Sequence, residues 1–227
     1  MTTSPNHWII PQDIPLFPVP EHVLLPGFPQ PYPVFESRYM VLLGELGRLR
    51  AKDRWIAVPR MVARHGSHYR GRPEFHPVAT LGRVVGVRHI REQHVEMTVM
   101  GCARVRLEEV KSDKPYRKSR CELIPDLPCP DEEIQRQVER LLQASVDLMN
   151  VLGPLAKGLE GLLEKRSEPR MLLYRLATVL LSDPDRRQAL LEELSFHKRV
   201  DVVLDAMTDL MTTAVVSPLP KKDLAAA

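Results

Sequence analysis

The sequence reads as an α+β chain, a small and partly closed β barrel followed by a bundle of helices. Apolar residues alternate at every second position up to about residue 130 and recur at spacings of three and four after it. These are the signatures of half-buried strands and of amphipathic helices. Three prolines within Pro125–Pro130 stand where the period changes, and neither a strand nor a helix runs through such a cluster. Residues 1–130 and 131–227 are each long enough for a core of their own. The chain also carries 21 prolines, where about 11 would be usual for its length. Eight of them fall between Pro11 and Pro33.

Those eight set the opening of the fold. Ile14–Pro20 and Val23–Pro29 mix apolar residues with prolines. Proline has no N–H and a fixed φ, so such segments are edge strands and not central ones. Pro26-Gly27 reads as a type II turn, with proline setting one φ and glycine supplying a positive one. A helix follows, with Ser37 as its cap and Tyr39, Leu42, Leu43, Leu46 and Leu49 on one face. Trp55–Val58 is a short apolar strand stopped by Pro59. Ala79, Leu81, Val85 and Val87 form an alternating run. Val95, Met97, Val99, Gly101, Ala103, Val105 and Leu107 form the clearest one, with Gly101 inward where a bend or a close backbone approach is expected. Ile90–His94 links these two runs as a hairpin, and Cys121–Ile124 is a further strand.

Beyond the prolines, Asp131 reads as an N-cap with Glu132 and Glu133 in the first turn. Ile134, Val138, Leu141, Leu142, Ser145, Leu148 and Met149 trace one helical face, ended at Gly153-Pro154. A shorter helix takes Leu155, Leu159, Leu162 and Leu163. Pro169 opens the next, and Met171–Leu181 is apolar enough to be buried. Asp183-Pro184 repeats the cap-and-proline start. A last stripe runs through Val200, Val203, Leu204, Met207, Leu210 and Met211. Its methionines at helical spacing read as core rather than as a partner-binding face.

Ile14–Pro20, Val23–Gly27 and Phe35–Tyr39, in that order, resemble the opening of the Lon protease N-terminal domain, with its L-P-L-F-P-L segment, L-F-P-G turn and F-E-x-R-Y helix entry. Val78–Val85 is similar to that family's G-T-x-A-x-I strand, Met97–Val105 to its G-x-x-R strand, Tyr116-Arg117 and Leu123–Asp126 to the next one. Arg187–Glu193 and Arg199 resemble its Q-x-L-L-E run and downstream arginine. The likeness covers about residues 13–213. The Arg91–His94 hairpin lacks the family's Asp-Gly, Val78-Ala79 stands for Val-Gly, and Ala103 and Val105 differ in bulk from the residues usual beside Arg104. The resemblance implies a tail over 1–12, a PUA-like β pseudo-barrel with one helix over 13–126, an α-helical subdomain over 127–213 and a disordered tail over 214–227. Pro26, Gly27, Phe35, Glu36, Arg38 and Tyr39 carry its structural motif, with Glu36 and Arg38 fixing the helix entry. It implies a non-catalytic module that recognises unfolded or partly folded polypeptide in protein quality control, with a separate protease as a further partner.

Composition and motifs exclude much else. At 44% hydrophobic and 27% charged residues the chain can bury a core. No apolar run approaches a membrane span. No basic and then apolar segment opens the chain, so the expected compartment is cytoplasmic. Three widely spaced cysteines argue against a disulfide framework. The net charge of +3 hides 19 Lys and Arg against 13 Asp and Glu in residues 1–130, and 13 against 16 beyond. That imbalance is too small for a dense basic stripe. No P-loop, H-E-x-x-H or C-x-x-C occurs. Neither an enzymatic activity nor a cofactor is expected. Ser195–Lys198 matches S-x-x-K without its accessory motifs and is set aside. Pro15–Pro18 matches PxxP, but its Leu and Phe favour burial. The loop Arg60–His76 gathers Arg64, His65, His68, Tyr69, Arg70, Arg72 and Phe75. These are the candidate residues for holding polypeptide, or RNA as the alternative. His65 and His68 have no carboxylate or cysteine near them except Glu74, too few ligands for a metal.

Overall fold

The structure is a computed structural model that describes residues 10–62, 72–91, 94–163 and 168–216. Its strands are β1 (Ile14–Pro15), β2 (Pro29–Val34), β3 (Trp55–Val58), β4 (Val78–Arg91), β5 (His94–Val110) and β6 (Lys118–Leu123). Its helices are α1 (Ser37–Gly47), α2 (Asp131–Leu152), α3 (Lys157–Leu163), α4 (Pro169–Leu180), α5 (Pro184–Glu192) and α6 (Phe196–Val216). The α+β class and the order of barrel and helices are as expected. Two compact units result. One holds the described residues up to Asp126 together with Asp183–Leu194, and the other holds Leu127–Ser182 and Ser195 onward. The segment around α5 is therefore grouped with the strands, where the sequence places it among the helices of 127–213.

In the first unit the strands run antiparallel in the order β1-β6-β5-β4-β3, and β2 pairs with the first half of β5. Leu16 bridges Ala57 and Val19 bridges Arg60 in parallel, so the ends of the sheet meet and a pseudo-barrel forms. β5 serves two cores. Val95, Met97 and Val99 pack with Tyr39, Leu42 and Leu46 of α1. Cys102, Val105 and Leu107 pack with Ile14, Leu16, Trp55 and Leu81. The change of core coincides with a register shift, at which Leu81 faces Ala103 and Gly82 faces Gly101. Gly101 is where the turn comes closest. A Cβ there would lie 2.3 Å from the Leu25 carbonyl oxygen. Gly27, at φ 84°, supplies the positive φ of the expected turn.

Several expectations need correction. The second proline-flanked strand is Pro29–Val34, after the turn, and not Val23–Pro29. Ile10 is buried in the second core, so the tail over 1–12 does not extend that far. A bulge between Val84 and Gly86 turns Val84 inward and leaves Val85 and Val87 exposed. The same kind of slip buries Cys102 and Arg104 on β5 instead of Ala103. α1 and α2 each begin one residue earlier than a side-chain cap would require. Ser37 and Asp131 are their first residues, and Glu36 and Pro130 hold the cap positions. Leu49 lies past the end of α1 and is exposed. α6 continues to Val216, three residues into the tail expected from 214.

In the second unit α6 packs on α2 and α4. Leu141, Leu148, Leu173, Leu176, Val200, Val203 and Met207 are buried there, so Met207 is core. Arg199, 1% exposed, donates to the Tyr174 hydroxyl and lies over the Tyr174 and Phe196 rings. Among the described residues no helix is long and apolar enough to cross a membrane.

Candidate functional site

The expected candidates divide sharply. Arg64, His65, His68, Tyr69 and Arg70 lie outside the described residues. Arg72 and Phe75 are described, and both are engaged within the fold. Arg72 Nη2 donates to Glu109 Oε1 at 2.7 Å, and Arg117 donates to both Glu109 oxygens. Hydrogen bonds from Arg117 and then Arg72 hold the Glu109 carboxyl below its usual range. Arg117 also covers the Phe75 ring at 4.5 Å and donates to the Pro73 carbonyl. The described end of the basic loop is thus an ion-paired strut on β5 and β6.

The proline cluster that opens the fold also lines a groove. This groove, of about 330 Å³, runs between Phe17–His22 and β2, and Phe35, Glu36 and Tyr39 close one end. Phe17 stands edge-on to Tyr32 at 5.6 Å and to Tyr39 at 4.7 Å. The His22 ring packs edge-on to Tyr32 at 5.5 Å. Burial, helped by the charge of Arg187 on α5, lowers the His22 pKa to about 4, so the ring is neutral near pH 7. Burial raises the Tyr32 hydroxyl. The helix entry is fixed as expected: Glu36 and Arg38 pair at 2.7 Å, and Arg38 lies over the Tyr39 ring at 4.8 Å. Phe35, in the same motif, is 54% exposed. Its ring meets His94, in the wall of a second, smaller hollow lined by Pro33, Val34 and Ile90.

Other candidates carry less. A larger hollow beside Ile10–Gln12 is lined by Arg106, Arg120, Glu108 and Glu122, two charges of each sign and no aromatic wall. Burial raises the Cys102 thiol and pushes Cys121 up to about 12, which makes both poor nucleophiles. Among the described residues no group of three His, Cys, Asp or Glu is placed to hold a metal ion.

The unit that frames the groove is locked by Arg104. Its guanidinium, 4% exposed, donates to the Leu191 and Glu193 carbonyls at the end of α5 and to Asp126 Oδ1 at 2.5 Å. Arg60 donates to Asp185 at 2.7 Å, and Gln188 Nε2 to the Val78 carbonyl at 3.0 Å.

The family model for the ATP-dependent protease La (LON) substrate-binding domain matches residues 13–209. The chain belongs to the LON substrate-binding domain family. Among curated relatives, Lon protease 2 of Myxococcus xanthus is 24% identical over 199 residues, which are 87% of this chain and 24% of that protein. Lon protease of Anaeromyxobacter dehalogenans is 23% identical over 87% of this chain and 23% of its own length. The chain therefore spans about a quarter of the relatives it matches. The N-terminal domain of Mycobacterium avium complex Lon protease has the same fold, with a TM-score of 0.67 at 13% identity, over 87% of this chain and 98% of that one. A Lon N-terminal domain protein from Xanthomonas campestris follows at TM-score 0.54 and 22% identity, over 85% and 97%. Within this LON domain, His22, Gln30 and Tyr32 are the groove residues that sequence reasoning missed. The signal available for them was the proline at every second position from 29 to 33.

Proposed function

We propose that this LON-type domain is a non-catalytic polypeptide-binding module that holds unfolded or partly folded clients in the groove between Phe17–His22 and β2, as an adaptor in protein quality control that serves a separate protease. The observation that carries the reading is the aromatic, proline-walled groove in a chain of the substrate-binding family. Its side chains suit holding and not cleaving: Phe17, Tyr32, Val34 and Tyr39 are apolar surfaces, and the one imidazole is neutral and packed on a ring. Those four are packed and form the floor, and Phe35, 54% exposed, is the open apolar side chain beside them; clients rich in unburied apolar side chains are the complement of such a site. The test is fluorescence anisotropy with labelled lactalbumin, either reduced and carboxymethylated or native. The unfolded probe is expected to bind at least tenfold more tightly than the native one, and Phe35→Ser to weaken that binding. Equal and negligible binding of both probes overturns the proposal.

A further inference from the structure

We infer that the groove reads a client through its side chains and not by strand addition, so that it accepts extended segments whose backbone nitrogens carry no hydrogen. This rests on the polypeptide-binding reading above and specifies its mode. The hydrogen bonds on either side of the groove decide it. On the β5 side, the Gly101 amide donates to Phe28 O at 3.2 Å and the Gly101 carbonyl accepts from Gly27 N at 2.9 Å. Strand backbone groups alternate sides with a period of two. Val99, Met97 and Val95, opposite Gln30, Tyr32 and Val34, therefore face β2 as well. The nitrogens of Pro29, Pro31 and Pro33 then all point away from β5, to the outer edge. Proline is tolerated in a strand in just that orientation.

The opposite wall repeats the device. Phe17 N and Val19 N donate to Ala57 O and Pro59 O at 2.9 Å, and Val19 O accepts from Met61 N. The Phe17 N–H and both Val19 backbone groups are thus spent on the β3 side, and the nitrogens of Pro18 and Pro20 face the other way. Neither wall has an N–H to offer at these five positions, and a pyrrolidine ring stands where each hydrogen would be. Two of the carbonyls are already engaged. Pro31 O accepts from Gln30 Nε2 at 3.3 Å and Pro20 O from His22 N at 2.5 Å. An added strand would bury its own carbonyls unpaired against such edges, which is costly, so a full backbone ladder cannot form there. The apolar floor of Phe17, Tyr32, Val34 and Tyr39 remains, and its complement is an extended segment with large apolar side chains at alternate positions.

The experiment compares two fluorescein-labelled twelve-residue peptides with Phe or Leu at alternate positions and Ser or Lys between. One has ordinary amides, and in the other every second backbone nitrogen is methylated. With the full chain, the two dissociation constants are expected to agree within threefold. Phe35→Ser, at a side chain that is 54% exposed, is expected to weaken both at least fivefold. The triple variant Pro29→Val, Pro31→Val, Pro33→Val restores three edge donors and is expected to prefer the unmethylated peptide by tenfold or more. If that variant does not fold by circular dichroism, the wild-type comparison and Phe35→Ser decide alone. A tenfold loss on methylation in the wild-type chain overturns the inference and leaves the polypeptide-binding reading standing. So does binding of unfolded lactalbumin with neither peptide bound. Failure to bind either peptide and the unfolded protein overturns both.

Discussion

Gly101→Ala tests the contact on which β2 and the groove depend. An ideal Cβ at 101 falls 2.3 Å from Leu25 O, 3.0 Å from Leu25 C and 3.1 Å from Pro26 Cα. All three are backbone atoms, so no side chain can swing aside and the turn itself must retreat. That retreat disturbs Gly27 N to Gly101 O and Gly101 N to Phe28 O, each worth about 0.5–1.5 kcal/mol. Overpacking adds about 1–3 kcal/mol, and the stiffer unfolded chain returns about 0.4–1 kcal/mol. The net loss is about 2–4 kcal/mol. Gly86→Ala is the control on the neighbouring strand. Its Cβ would sit 3.7 Å from Thr98, an ordinary contact, and its expected effect is within about 1 kcal/mol of zero. Urea unfolding followed by tryptophan fluorescence reports this unit, because Trp55 is buried in its second core. The Gly101→Ala midpoint should fall by about 1 M or more, with Gly86→Ala near wild type. Equal midpoints for the two variants would refute the close-approach argument.

Three further outcomes follow from the same unit. His22 titrates near 4 in the folded chain and near 6.5 when unfolded, so the unfolded state takes up a proton over that window which the folded state refuses. Stability therefore falls as pH drops from 6.5 toward 4, by at most about 3 kcal/mol and by less with solvent screening. His22→Gln should flatten the curve of urea midpoint against pH in that range, and parallel curves would count against burial as the cause. Arg104→Met leaves Asp126 and two helix-end carbonyls without that donor, at a cost of about 3–5 kcal/mol in urea unfolding. Adding Asp126→Leu should recover 1 kcal/mol or more, and additive losses would argue against a shared ion pair. Tyr32 Oη is buried and meets no hydrogen-bond partner among the described residues. Tyr32→Phe should accordingly leave the midpoint unchanged or raise it, and a loss above about 1 kcal/mol would show a hidden partner.

What could be read from the sequence was local. The alternation from Val95 to Gly101, the Pro26-Gly27 turn and the inward Gly101 are all set by neighbours in the chain, and so are the starts at Pro169 and Asp183. Asp183 does cap α5, accepting from Asp185 N at 2.8 Å. The bulges that turn Val84 inward and bury Arg104 depend on the partner strand, and periodicity along one strand cannot contain them. The grouping of α5 with the strands was invisible for a different reason. Its Leu190 and Leu191 look like those of any bundle helix. Polar contacts tie it to the barrel instead: Arg60 to Asp185, Gln188 to Val78 and Arg104 to the carbonyls of Leu191 and Glu193. Each joins residues more than eighty positions apart.

The groove was half legible for a related reason. Alternating prolines say that a strand is an edge, but which side the missing N–H faces is decided by β5 for one wall and by β3 for the other. Once both are placed, and on the function proposed above, the prolines answer a conflict between binding and solubility. A surface that holds unfolded chains must leave apolar side chains open, and along strand edges such a surface is ordinarily a template for aggregation. A fully closed barrel would remove the hazard and the groove together. Edges without donors leave the groove open and still refuse other strands. Phe35 stands at the end of that groove. Glu36, Arg38 and Tyr39 fix the helix entry through an ion pair and ring contacts, and the neighbouring Phe35 side chain stays half exposed, where the proposed client would meet it.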